Sequence, residues 1–125
     1  MNKKIEYKLP LTMYSEDSAK RLEGILDKLE SSLINQGLHL VSEERCDEEK
    51  TSIARLKLLG VTRTYSKSDV KVIVYRNILG VGERHNISHL GFIEVTGQEP
   101  MAQGIAELAE KELNFYLYPD ILYRR

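Results

Sequence analysis

The side chains best suited to moving a proton near neutral pH are two histidines in the run Glu83-Arg84-His85-Asn86-Ile87-Ser88-His89. A spacing of four would put both imidazoles on one side of a helix, but Asn86 and the preceding Gly80 and Gly82 favour a strand, where positions 85, 87 and 89 share a side. A metal would need a third ligand from Glu83, Cys46 or Asp47, so neither a metal nor a cofactor is expected. General acid–base work by His85 and His89 in a small hydrolase or phosphodiesterase is the catalytic alternative; half-exposed polar positions are the simpler reading. Gly80-Val81-Gly82 is not followed by Gly-Lys-Ser/Thr or by a helix start, so it reads as a turn and not as a phosphate cradle. Cys46 stands among Glu43, Glu44, Asp47, Glu48 and Glu49, whose charges disfavour the thiolate.

Charge is the more uneven feature. The whole chain carries a net charge of -1, yet residues 55–84 hold seven bases (Arg55, Lys57, Arg63, Lys67, Lys71, Arg76, Arg84) against Asp69 and Glu83, a local +5. Residues 94–113 carry five glutamates against Lys111, and residues 43–50 carry five acids against two bases. A basic segment of this kind attracts anions. In strand periodicity Arg55 and Lys57 oppose Ala54, Leu56 and Leu58, while Lys71 and Tyr75 oppose Val70, Val72 and Val74. With the leucine and valine sides turned to a common core, Arg55, Lys57, Lys71 and Tyr75 would meet outside as a basic, partly aromatic surface. Cations hold phosphates, and tyrosine rings, Tyr75 and Tyr65 among them, offer stacking platforms to bases. Arg63, Arg76 and Arg84 are further ligand candidates whose facing after Gly60 the sequence leaves open.

The elements that must position these groups follow from periodicity. Ile5, Tyr7 and Leu9 alternate with Lys4, Glu6 and Lys8, giving a strand that ends at Pro10. Leu22, Ile25, Leu26, Leu29 and Leu33 form the apolar stripe of a helix over 15–36, with Ser15 as its N-cap and Gly37 as its stop. A short strand over 38–42 leads into the acidic run EERCDEEK, read as an exposed loop. The next strand starts near Ser52, with a bulge expected at Gly60. A turn at 66–69, the valine strand from Val70 and a last strand over 87–96 complete the sheet. Pro100 opens a second helix whose stripe is Met101, Ile105, Leu108, Ala109 and Leu113, ending near Asn114.

The predicted fold class is α+β: one domain over 1–125, with a single antiparallel sheet of four or five strands and two helices on one face. The tail FYLYPDILYRR carries four of the nine aromatics, and Phe115, Tyr116, Tyr118 and Tyr123 are expected to cover apolar surface in the same subunit or in a neighbour. One cysteine makes no internal disulfide, no apolar run is long enough for a membrane span, and the start lacks a secretory leader, so a cytoplasmic protein with no membrane partner is expected. The function expected is that of a binding module without chemistry of its own, for an anionic small molecule, nucleotide or single-stranded nucleic acid. A protein-interaction or inhibitor domain acting through the aromatic tail or the acidic segment is the alternative, and self-association would cover the open sheet face.

Overall fold

A computed structural model describes the backbone of residues 1–9, 16–50, 56–81 and 86–117, and the side chains of 1–9, 17–45, 60–77 and 89–117. The order is β1 (Asn2–Leu9), α1 (Glu16–Asn35), β2 (His39–Lys50), β3 (Leu56–Lys67), β4 (Val70–Val81), β5 (Asn86–Thr96) and α2 (Met101–Glu112), followed by a short 3-10 turn, Asn114–Tyr116. The five strands form one antiparallel sheet in the order β1-β5-β4-β3-β2, and both helices lie on one face, the predicted α+β arrangement.

Burial explains why the pieces meet. Ile5, Tyr7 and Leu9 of β1, Val72 and Val74 of β4, and Ile93 and Val95 of β5 project to one side, where Leu22, Leu26, Leu29 and Leu33 of α1 and Ile105, Ala106 and Ala109 of α2 cover them. Each side chain of leucine size removed from water in this layer contributes about 1.5–3 kcal/mol. α1 stops where Gly37 adopts φ +94°: the Leu38 amide donates to Leu33 O and the Gly37 amide to Ile34 O, a Schellman closure with Leu38 and Leu33 both buried. Lys67 Nζ donates to Gln36 O at 3.1 Å and places a cation at the negative end of the helix.

Several local expectations change. The acidic run 43–50 is not a loop: β2 continues through it, each residue from Glu43 to Lys50 pairing with one from Arg63 to Leu56. A strand on the edge of a sheet tolerates charge on both sides, so the lack of apolar residues does not end it. Gly60 is not a bulge; it pairs in continuous register with Asn77 and Cys46. The irregularity lies in β2 between Leu40 and Ser42, where Val41 is the extra residue. The turn after β3 is tighter than the run 66–69, because Lys67 pairs with Val70 and Ser68 takes a positive φ of 54°. Residues 10–15, and with them the predicted N-cap Ser15, lie outside the described residues.

That two-residue turn sets the facing of the basic segment. Odd positions of β3 stand beside even positions of β4, so Lys71, Ile73 and Tyr75 have Ser66, Thr64 and Thr62 as neighbours. Arg63 pairs with Val74 and so belongs to the helix-covered side. Of the surface expected from Arg55, Lys57, Lys71 and Tyr75, the last two share the side away from the helices; Lys57 is described by its backbone pairing with Gly80 alone, and Arg55 lies outside the described residues.

Candidate functional site

Two polar assemblies occupy opposite sides of the sheet. On the helix side, α1 presents Glu23, Asp27 and Glu30, spaced by four and three residues along one edge of its leucine stripe. Glu30 is 5% exposed. Its carboxylate accepts from the Tyr65 hydroxyl at 2.6 Å, from Arg63 Nη1 at 3.3 and 3.2 Å on its two oxygens, and from Arg76 Nη2. Arg76 also pairs with Asp27 at 2.9 Å, and Arg63 Nε donates to Glu43 at 3.1 Å, whose other oxygen takes Arg45 Nε at 2.8 Å. Three guanidinium groups thus meet three carboxylates.

The electrostatic consequences are directional. Hydrogen bonds from Arg63 and Arg45 hold Glu43 below the usual carboxylate range. Burial, reinforced by the bond to the Glu30 carboxylate, pushes the Tyr65 hydroxyl well above the ordinary phenol range. Burial works against the charge of Arg63, but Glu43 and Glu30 outweigh it and raise its pKa. Through two arginines and a tyrosine on one buried carboxylate, this cluster ties α1 to β3 and β4. Nearby, His89 is buried at 6% exposure on β5, with Nε2 at 3.1 Å from Glu23 of α1. It is therefore not the half-exposed residue expected from sequence: its strand position turns the ring under the helix. His85 and Arg84 lie outside the described residues.

Among the described residues, the other side of the sheet carries no helix. Pairing sets Glu6, Phe92, Tyr75 and Thr62 in one row across four strands, flanked by the rows Lys4, Glu94, Ile73, Thr64 and Lys8, Leu90, Asn77, Gly60. Tyr75 and Phe92 stack with centroids 5.1 Å apart and planes at 30°, and Lys4 Nζ sits 4.3 Å from the Phe92 ring centre. Beside them is an open groove of about 360 Å³, lined by Glu6, Lys8, Tyr75, Leu90 and Phe92 together with Tyr7 and Gly91. Behind the groove, on the helix-covered side, Gly91 makes room for a core ring. The Tyr7 ring crosses that position and its hydroxyl donates to Tyr75 O at 3.1 Å, passing where any Cβ on residue 91 would stand. Burial raises the Tyr7 hydroxyl beyond the phenol range as well.

The residues singled out from sequence are therefore divided. Lys71 and Tyr75 lie on the uncovered side, whereas Arg63, Tyr65 and Arg76 lie under α1, bonded to Glu30. Lys57 is described only by its backbone pairing with Gly80, and Arg55 lies outside the described residues. In the tail, Tyr116 is a core residue at 4% exposure, Leu117 bridges to Tyr7 of the same chain, and Phe115 is 52% exposed. Tyr118 and Tyr123 fall outside the described residues. Sequence reasoning missed Phe92, Lys4 and Lys8, although their parity with Tyr75 was available once the order of strands was known. Among the described residues no group of three His, Cys, Asp or Glu side chains could hold a metal ion, and no helix is long and apolar enough to cross a membrane. No family model, curated protein or solved structure matches the chain.

Proposed function

We propose that the protein is a non-enzymatic binding module whose uncovered sheet face takes a planar, anionic ligand, a nucleotide or a short stretch of single-stranded nucleic acid. The observation that carries this reading is the Tyr75–Phe92 pair on the face without helices, beside a groove of nucleotide size and within a set of three lysines, Lys4, Lys8 and Lys71. An aromatic surface supplies stacking for a base, and the lysines supply point charges for phosphate. Arg63 and Arg76 are excluded from the contact set, because their charges are already met by Glu30, Asp27 and Glu43. Glu6 and Glu94 on the same face moderate its charge, which favours a ligand with few phosphates over a long polyanion.

Calorimetric titration at low salt with the four ribonucleoside monophosphates and with a mixed-sequence DNA 12-mer tests the reading. Binding weakened at least fivefold by Tyr75→Ala and by Lys71→Ala, with Arg76 untouched, is the expected result. No heat with any of these ligands would remove the proposal.

A further inference from the structure

The edge of the sheet opposite β1 has features of its own. β2 is the terminal strand of the sheet among the described residues, so one row of its backbone amides and carbonyls has no strand beside it. Three large apolar side chains that a folded chain would ordinarily shield lie at this edge: Ile34, Leu40 and Val41, with exposures of 56%, 47% and 61%. Their placement is related. Leu40 pairs with Tyr65, whose ring is buried under α1, and Val41 is the bulged residue next to it. Ile34 stands four residues after Glu30 on α1, on the helix side that faces β3 through Tyr65 and Arg63. An open strand edge next to the flank of a helix, with apolar groups on both, is the arrangement used for binding an extended peptide by strand addition.

Charge selects the peptide. The sequence of β2 from Glu43 to Lys50 carries five acids against two bases, and of these Glu43 is already shared by Arg63 and Arg45. A second copy of β2 laid antiparallel on the first would bring one acidic edge against another, which opposes self-pairing. A basic partner meets no such penalty. We infer that β2 accepts an extended, lysine- or arginine-rich segment of another protein as a sixth strand, with its apolar side chains against Ile34, Leu40 and Val41. This surface is distinct from the Tyr75–Phe92 face, and neither reading depends on the other.

The full chain, labelled with 15N, would be titrated at low salt with two blocked decapeptides that alternate valine or threonine with lysine in one case and with glutamate in the other. Affinity at least tenfold higher for the lysine peptide, with new amide-exchange protection confined to residues 39–45, is expected. Ile34→Ser and Glu44→Lys, both at exposed positions and each checked for native circular dichroism, should each weaken the lysine peptide severalfold. Equal affinity for the two peptides, protection on β1 or on the outer sheet face, or sedimentation showing a dimer that both variants dissolve would overturn the inference.

Discussion

Gly91 and Glu30 show how single residues set the packing on the helix-covered side of the sheet. A Cβ at residue 91 would lie 2.0 Å from Tyr75 O and 2.5 Å from the Tyr7 hydroxyl oxygen, so Gly91→Ala must displace backbone or the tyrosine. A loss of about 1–3 kcal/mol in urea unfolding is expected, the usual range for overpacking. Gly24 and Gly104 are the controls, since each sits inside a helix with nothing within 4 Å of the added methyl. Alanine at either should raise stability by up to about 1 kcal/mol. Glu30 works in the opposite sense, through charge. Removing its carboxylate leaves Arg63 with Glu43 and Arg76 with Asp27 as remaining anions, and Glu30→Gln is expected to cost about 1–3 kcal/mol. Tyr65→Phe removes one charge-assisted hydrogen bond and should cost about 1.5–3 kcal/mol in the same measurement.

At the scale of elements, the hairpin β3–β4 decides which residues can act together. Its two-residue turn pairs Lys67 with Val70, and that parity sends Arg63 and Tyr65 beneath the helix while Lys71 and Tyr75 face outward. The periodicities of β1, β4, α1 and α2 were legible because each buries one apolar stripe on a shared core. The charged run of β2 was not, because an edge strand made by backbone pairing needs no alternation. The partners of Glu30 were also hidden: Glu23, Asp27 and Glu30 look like a solvated helix edge until β3 and β4 are laid beneath it. The β2–β3 contact has a pH signature. Glu43 is held below its unfolded pKa of about 4.5, so its pairing stabilises the fold above that pH and is lost as pH falls through the lower folded value. Acid unfolding followed by circular dichroism should therefore show the difference between the wild type and Glu43→Gln shrinking below about pH 4.

For the whole molecule, a helix-covered side where charges neutralise one another stands against an uncovered side that carries a half-buried aromatic pair. Much of the +5 of residues 55–84 that suggested an anion site is spent internally, with Arg63 and Arg76 on carboxylates and Lys67 on the end of α1. The tail also serves the chain itself, as Tyr116 is buried and Leu117 pairs with β1, so Tyr116→Ala should cost about 3–5 kcal/mol. With Lys8, Lys71 and Lys4 offered to phosphate, the last in exchange for its 3.8 Å contact with Glu6, the affinity for an oligonucleotide should fall with a slope of about -2 in log K against log salt concentration. Amide shifts mapped by NMR during titration with the DNA 12-mer at low salt decide whether the Tyr75–Phe92 face is where the ligand binds. Shifts centred on Lys4, Lys71, Tyr75 and Phe92 are expected; shifts centred on Glu30, Arg63 and Arg76, or no shifts at all, would rule that face out.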